Sequence, residues 1–454
     1  MRSSRRATLR VARRLGAVLV LSTSACGRTD DVGVRGRPQV DDGGSGPSLE
    51  GIVVGEPGAV APPGRWGRRR SAGSPPVAPW QQSQLEGLQA LGYVAGSTEA
   101  PAEGGVLVLD PEAVYEGFNL YVSGHAPKAL LMDMAGRIVH TWRASSDLQW
   151  TDQPEAASDP HRRFWRRAHL FPNGDLLAIY EGIGMIKLDR DSELIWQSAL
   201  AQHHDLDVLE SGEIYVLTRK TRGPEGSAVT DPVIEDFVTV LESDGTPREN
   251  ISLLAAFERS ERYSHHWRNA RKKRGDVFHT NTLEVLDGSV ADGMPEFAEG
   301  NVLTSMLMLS TIAVVDLEKA EVVWAYSGDF IGQHDPQLLE NGRLLVFDNG
   351  GGNPASGTSR VLEFEVPGMR IAWSYEGTVE QPLFTRTCGA AQRLPNGNTL
   401  ITETDNGRAI EVTREGRIVW EFVSPHRAGS REELVASLFE MRRIPVGDVA
   451  WLPG

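Results

Sequence analysis

The stretch LPNGNTLITETDNGRAIEVTREGRIVWEF, residues 394–422, decides the fold. It opens with a tight turn of the form L-x-N-G, continues into the apolar run 399–402, and ends in a hairpin that carries Trp420. Runs of β-branched and apolar residues bounded by asparagine and glycine are typical of short strands joined by tight turns. The stretch therefore predicts a small antiparallel β unit.

Both features of this stretch recur along the chain. The turn also begins at Phe171, Leu209, Leu286 and Leu339, and related hairpins end near residues 142, 196, 250, 324 and 373. Together with the hairpin at 420 they make six units spaced roughly forty to fifty residues apart, the spacing of four-stranded propeller blades. The pattern predicts an all-β, six-bladed β-propeller over residues 104–450. A β-sandwich and an irregular β-solenoid are the alternatives that it leaves open.

Residues 1–26 have the features of a lipoprotein-type signal peptide. An arginine-rich segment is followed by the apolar run Leu15–Leu21 and by small residues that precede Cys26. Such a segment directs export, and the lipid anchor would be attached to Cys26. Cleavage after Ala25 without lipidation, and retention of the segment as an anchor, are the alternatives. We therefore expect an exported periplasmic or cell-surface lipoprotein held at the membrane by its lipid. The outer membrane is slightly favoured, because Gly27 stands where inner-membrane retention is associated with aspartate.

Residues 27–103 are rich in glycine, proline, serine and arginine. A segment of this composition cannot bury enough apolar surface to order itself, so we predict a disordered linker. Residues 84–93 could form a short amphipathic helix within it.

Charge and cysteine content argue against nucleic-acid binding and against an intramolecular disulfide. The formal net charge of -15 argues against nucleic acid, whose phosphates require a basic surface. The chain has two cysteines, Cys26 and Cys388, so lipidation of Cys26 would leave no pair for an intramolecular disulfide.

Histidines recur at one place in the repeats. His204 lies seven residues before Ser211, and His334 lies seven residues before Asn341, each counted from the third residue of the turn. His279 lies eight residues before Asp287 in the shorter turn of its repeat. Arg166 has the same offset in the second repeat. Because equivalent positions of successive blades surround the propeller axis, we expect these imidazoles to share one pocket. Three buried core histidines at equivalent positions would require a threefold coincidence, which favours a functional site.

The segments that carry these histidines are similar to those of the arylsulfotransferase family. They read HHDLDVLESG at 203–212, FHTNTLEVLDG at 278–288 and GQHDPQLLENGRLLVFDNG at 332–350, and the stretch 394–422 matches as well. The resemblance covers roughly residues 105 to 450. It implies a six-bladed propeller that transfers a sulfuryl group from an aryl sulfate to a phenol, with no nucleotide sulfate donor and no cofactor or metal.

The same resemblance implies roles for individual residues. His334 would be the nucleophile that forms a sulfohistidine, His279 and Asn281 would hydrogen-bond the sulfuryl oxygens, and His204 would bind the donor or handle the phenol proton. The arginine with which the family clamps the sulfuryl group aligns here with Leu307. Arg166 and Arg386 are therefore the candidates to bind the anionic substrate in its place.

Two other functions stay open on the sequence. Three imidazoles around an axis could instead hold zinc, iron or copper, because histidine spacing does not distinguish a ligand from a nucleophile. A surface-tethered propeller that binds ligands without turnover is the other alternative, and Leu307 favours it.

Overall fold

The computed structural model describes residues 95–145, 148, 150, 160–222, 233–269, 275–328, 330–350 and 358–452. The predicted signal peptide, Cys26 and the helix predicted at 84–93 lie outside these residues. Within the described part, no helix is long and apolar enough to cross a membrane.

Six sheets of four or five mainly antiparallel strands form the blades of the described chain, and a seventh sheet has two strands. It begins with β1 (Gly105–Leu109), an edge strand of the last blade. Blade I contains β2 (Phe118–Ser123), β3 (Lys128–Met132) and β4 (Ile138–Arg143). Blade II contains β5 (Arg167–Leu170), β6 (Leu176–Tyr180), β7 (Gly184–Leu188) and β8 (Leu194–Ser198). Blade III contains β9 (Gln202–Val208), β10 (Ile214–Arg222), β11 (Val233–Leu241) and β12 (Pro247–Ser252), with β13 (Gly275–Asp276) parallel to β11.

The remaining blades follow the same order. Blade IV contains β14 (Thr280–Val285), β15 (Val302–Met306), β16 (Thr311–Asp316) and β17 (Glu321–Tyr326). Blade V contains β18 (Gln333–Leu338), β19 (Arg343–Asp348), β20 (Arg360–Glu365) and β21 (Arg370–Tyr375). Blade VI contains β22 (Ala390–Arg393), β23 (Thr399–Glu403), β24 (Arg408–Val412) and β25 (Ile418–Val423). A hairpin of β26 (Arg427–Ala428) and β27 (Leu434–Val435) leads to the final strand, β28 (Leu438–Ile444).

Two short helices connect blades III and IV. They are α1 (Leu253–Arg259) and α2 (Ser264–Arg268). The hydroxyl of Ser252 caps α1 by accepting a hydrogen bond from the amide of Ala255. The helix buries Phe257 and its apolar neighbours on the outer part of blade IV.

The ring is closed by the two ends of the described chain. β28 pairs with β2 as the first strand of blade I, and β1 pairs with β25 at the other edge of blade VI. The first strands of blades II to VI also contact one another in turn, β22 contacts β28, and β5 contacts β2 of blade I. The six-bladed propeller prediction is therefore confirmed, and the sandwich and solenoid alternatives are excluded.

The repeated tryptophans join neighbouring blades. The indole of Trp142 donates to the carbonyl oxygen of Gly174 at 2.9 Å, in the turn of the next blade. Trp196, Trp373 and Trp420 donate in the same way to Ser243, Arg414 and Met134, each in a turn of the following blade. Trp142 thus bonds to the L-x-N-G turn of the next blade, whereas the other three indoles bond to the turn inside the next hairpin. Each indole satisfies a backbone group of the blade beside it.

Candidate functional site

The first strands of blades II to VI present one equivalent residue each, five positions before the residue that begins the tight turn. These residues are Arg166, His204, Asn281, His334 and Gly389. The sequence alignment had placed His279 at this position in blade IV, but Asn281 occupies it. His279 precedes Asn281 by two residues and reaches the site by a distortion of the backbone.

That distortion is a left-handed kink at the start of four first strands. His204, His279, Asp335 and Cys388 have φ values of 54°, 50°, 49° and 57°. Non-glycine residues seldom adopt this conformation, and they do so where the surrounding structure enforces it. The strand pairing shifts register at the same places in blades III, IV and V. Such bulges re-aim side chains, which explains how residues at unequal offsets converge.

His334 is held in one tautomer. Its Nδ1 lies 3.0 Å from the carbonyl oxygen of Gly332 and 2.8 Å from Oδ1 of Asn349. The Asn349 amide is oriented by its Nδ2, which donates to the carbonyl oxygens of Thr385 and Cys388 at 2.9 Å. Both neighbours of Nδ1 are acceptors, so Nδ1 carries the hydrogen and Nε2 carries the lone pair. Nε2 has no hydrogen-bond partner among the described residues.

His334 is also kept neutral. Burial lowers its pKa to about 3, and the positive charge of Arg166 acts in the same direction. The hydrogen bond to Asn349 opposes these effects without overcoming them. A neutral imidazole whose Nε2 lone pair is not occupied by a hydrogen bond is the form that attacks an electrophile.

His279 and His204 lie side by side. Their ring centroids are 4.9 Å apart in an edge-to-face arrangement. Nδ1 of His279 contacts Oδ2 of Asp276 at 2.5 Å, and its amide donates to Oδ1 of the same carboxylate. Nδ1 of His204 lies 2.8 Å from Nδ1 of His203 and 3.4 Å from Oε1 of Glu181. Burial lowers the pKa of both His203 and His204 well below the ordinary value, and the charges of nearby basic groups act in the same direction.

Arg166 connects these histidines. It is buried, and its charge lowers the pKa values of both His204 and His334. His279 likewise lowers the pKa of His334. The ring contact between His204 and His279, and the hydrogen bond from Asn281 to the carbonyl oxygen next to His334, bring the three predicted histidine segments together. Arg386, in contrast, has an exposed side chain, and its amide donates to Asp405. No contact between Arg386 and the histidines is seen in the described part of the chain.

The Asn281 amide connects two blades. Its Nδ2 donates to the carbonyl oxygen of Gln333 at 2.9 Å, and its Oδ1 accepts from the hydroxyl of Thr282. Leu307 follows β15, and its amide donates to the carbonyl oxygen of His279 at 3.3 Å. A half-buried leucine therefore stands beside the histidines at the position of the family's arginine.

A family model described as Arylsulfotransferase (ASST) matches residues 167–425, more than half of the chain. The chain belongs to the arylsulfotransferase family. Membership suggests an arylsulfotransferase-like enzyme acting on aryl sulfates and phenols, which agrees with the resemblance of its histidine segments. No curated protein matches the chain.

Among solved structures, the arylsulfotransferase-family chain is similar to several distant proteins. One is a protein of unknown function from Bacteroides caccae, at 14% identity and a TM-score of 0.44, covering 72% of this chain and 98% of the other. Another is the β-propeller domain of Cps50 (Swd1) from Myceliophteria thermophila, at 10% identity and a TM-score of 0.43, covering 73% of this chain and 89% of the other. A third is virginiamycin B lyase from Staphylococcus aureus, at 10% identity and a TM-score of 0.34, covering 57% of this chain and 69% of the other.

Several residues of this site in the arylsulfotransferase-family chain were not found by sequence reasoning. They are His161, Glu181, His203, Arg219, Asp276 and Asn349. Nδ1 of His161 contacts the carbonyl oxygen of Glu181 at 2.9 Å, and Arg219 approaches Oε1 of Glu181 at 3.5 Å. Gly182 is required for this approach, because a Cβ there would lie 2.0 Å from Nη2 of Arg219.

An ion network closes the axis beside the histidines. Arg167 of blade II contacts Asp205 of blade III at 2.9 Å and Glu440 of blade I at 2.5 Å, and it approaches Asp335 of blade V at 3.9 Å. Arg442 contacts Asp335 and Glu440 at 3.5 and 2.7 Å. Blades II and V stand opposite each other in the ring, so these contacts cross the channel. The histidine cluster is therefore flanked by charged residues that connect opposite blades.

Proposed function

We propose that the chain transfers a sulfuryl group from an aryl sulfate ester to a phenol through a sulfohistidine at His334. The observation that carries the proposal is the fixed tautomer of His334. Two acceptors, the Gly332 carbonyl and Oδ1 of Asn349, hold the hydrogen on Nδ1. This leaves a buried nucleophilic lone pair on Nε2.

In the first step, the Nε2 lone pair attacks the sulfur of the donor. The N–S bond forms while the bond between sulfur and the aryl oxygen breaks, and the aryl oxygen leaves with the electron pair as a phenolate. His334 keeps its Nδ1 hydrogen and gains positive charge, which Asn349 and the Gly332 carbonyl stabilise through hydrogen bonds that become charge-assisted. In the second step, the acceptor oxygen attacks sulfur, the N–S bond breaks, and its electron pair returns to Nε2.

The acceptor phenol must lose a proton, and we assign this proton to His279. Asp276 accepts a hydrogen bond from Nδ1 of His279, so the proton of the phenol would be received on Nε2. An imidazole oriented by a carboxylate is the usual arrangement of a general base. The resemblance implied instead that His279 donates to the sulfuryl oxygens, a role that this tautomer does not support before proton transfer.

Negative charge on the sulfuryl group needs a cationic partner, because Leu307 replaces the family's arginine. Arg166 supports this role, since its charge acts on His334 and His204. Arg219 supports it as well, since its charge acts on His161, His203 and His204. We propose that these two guanidinium groups bind the sulfuryl oxygens, while Leu307 contacts the aryl ring. Arg386 is not part of this proposal.

The test is release of 4-nitrophenol from 4-nitrophenyl sulfate in the presence of phenol. His334→Ala should abolish release while the fold is retained, and acid-quenched wild type should carry one added sulfuryl group on a peptide that contains His334. His265→Ala is the matched control, because His265 is exposed on α2. Absence of turnover with a broad panel of aryl sulfates would contradict the proposal, and would favour the ligand-binding propeller that Leu307 suggests.

We also propose that the chain is exported and anchored by lipid on Cys26. The support is the signal-like segment before this cysteine. Metabolic labelling with a radioactive fatty acid should mark the wild type and leave Cys26→Ser unlabelled. Labelling of both proteins, or of neither, would contradict lipidation at this residue.

A further inference from the structure

A second cluster lies next to the histidine pocket, where the end of β6 meets β9. Glu181, His203 and His204 are all buried there, each at most 2% exposed. One potential ligand atom from each residue lies within 4.8 Å of the others. We propose that these three side chains bind a divalent transition-metal ion of the Zn²⁺ class.

The ligand atoms have suitable spacing. Nδ1 of His203 lies 2.8 Å from Nδ1 of His204, which lies 3.4 Å from Oε1 of Glu181. Around tetrahedral Zn²⁺ with bonds of about 2.0–2.1 Å, neighbouring ligand atoms are roughly 3.3 Å apart. Two imidazole nitrogens and one carboxylate oxygen form the donor set of many three-ligand sites that keep an open coordination position.

The backbone is shaped to bring the two histidines together. Consecutive residues of a regular strand point to opposite faces and cannot share a ligand. The left-handed φ of 54° at His204 and the register shift in the pairing of β9 with β10 break this alternation. Both rings therefore turn their Nδ1 atoms to the same side. Such a kink has a conformational cost, which a shared ligand would offset.

A carboxylate lies behind the cluster, within ion-pair distance of Nε2 of His203 but without a hydrogen bond to it within the described chain. Nε2 of His203 faces Oδ1 of Asp236 at 3.7 Å, and Oδ2 of Asp236 accepts from the amide of Thr280. A carboxylate behind the second nitrogen of an imidazole is the common outer shell of a metal-binding histidine. The backbone amide of His204 donates to Oε2 of Glu181, which leaves Oε1 directed at the two Nδ1 atoms. Oε1 makes no hydrogen bond within the described chain, although Arg219 approaches it at 3.5 Å.

The inference goes beyond the proposed function and does not depend on it. It uses Nδ1 of His204, Glu181 and His203, whereas the transfer steps use His334, His279 and the arginines. Metal binding is measured directly, so failure of sulfuryl transfer and failure of metal binding give different results.

The experiment is isothermal titration of the purified, chelator-treated full chain with Zn²⁺. We expect one ion per chain, with affinity reduced at least about 10- to 100-fold in Glu181→Gln and in His203→Ala. The double variant His265→Ala, His266→Ala is the matched control, because it removes another adjacent histidine pair, on α2, in which His265 is exposed and His266 is half-buried. Its binding should be unchanged. Arg219→Gln should bind Zn²⁺ more tightly, by about tenfold, because a competing cation beside Glu181 is removed.

Two measurements guard against loss of fold in the variants. Far-UV circular dichroism reports the propeller in each protein, and Co²⁺ added to the wild type reports coordination without any substitution. Strong visible Co²⁺ absorption, typical of four or five ligands, is expected. The proposal is overturned if Zn²⁺ does not bind, if folded Glu181→Gln and His203→Ala bind it like wild type, if the double variant loses it, or if Co²⁺ shows only the weak absorption of its hydrated ion.

Discussion

Asn349 should control the rate of sulfuryl transfer although it need not touch the substrate. Asn349→Ala removes the acceptor that lies 2.8 Å from Nδ1 of His334. As His334 gains positive charge, this hydrogen bond becomes charge-assisted, and such bonds contribute about 1.5–3 kcal/mol. Since 1.36 kcal/mol is a factor of ten in rate, we expect kcat to fall by about 10- to 150-fold. KM for 4-nitrophenyl sulfate should change little, because the ground-state substrate does not carry this charge.

The control for this substitution is Asn398→Ala. Asn398 is another buried amide, whose Nδ2 donates to the carbonyl oxygen of Ala113 and to Glu411 in the turn region of blade VI. Its removal should cost similar stability with no loss of kcat. Steady-state rates with saturating phenol, and the burst of nitrophenol in the first turnover, measure the effect. If folded Asn349→Ala keeps kcat within about twofold of wild type, or if Asn398→Ala loses as much, the tautomer argument is wrong.

Three further predictions concern charge, pH and blade packing. Leu307→Arg should raise kcat/KM by about tenfold by restoring a guanidinium near the sulfuryl group, and a fall in rate would contradict the clamp argument. The pKa of His334, about 3 when folded, lies below its ordinary value of 6.5, so its stabilising contribution is complete above pH 6.5 and is lost as the pH falls towards 3. Between pH 7 and pH 5, this loss lowers the free energy of unfolding by about 2 kcal/mol. In urea denaturation, the free energy of unfolding of His334→Gln should therefore fall by about 2 kcal/mol less than that of the wild type over the same pH range. Trp142→Phe should cost about 1–3 kcal/mol in the same assay with activity retained, because the Gly174 carbonyl loses its donor. An unchanged unfolding free energy would show that the indole does not join the blades.

The fold could be predicted because nearly every blade repeats the same short sequence motifs. The turn motif and the hairpin tryptophan occur in nearly every unit, and both were read correctly as blade markers. Their physical connection was not visible, since the indole of one blade bonds to a turn of the next. Closure by β28 and β1 was equally hidden, because these end strands carry no repeat motif of their own.

The candidate site could be predicted only in part, because only some of its residues occupy the repeat position. His204 and His334 occupy the repeat position, so counting back from the turn finds them. His279 was selected although Asn281 holds the equivalent position, and only the left-handed kink explains why it nevertheless reaches the site. Glu181 and Asn349 come from a different position, directly after the second strand of their blades. A usable signal existed there, because a glycine follows each of them, as Gly182 and Gly350.

The local charge of the pocket fits a monoanionic donor better than the net charge of the chain does. A formal charge of -15 repels aryl sulfates, but salt largely screens this repulsion at distances beyond about 10 Å. Near the histidines, Arg219 approaches Glu181 at 3.5 Å, the charge of Arg166 lowers the pKa of the buried Glu440, and burial keeps His204 and His334 neutral. In the proposed mechanism, Arg166 and Arg219 would pair with the sulfuryl group, and transfer to His334 would create a zwitterion without adding net charge to the site. A carboxylate nucleophile at the same place would add a negative charge and would oppose binding of the donor. The neutral imidazole nucleophile that we propose is therefore compatible with an anionic substrate.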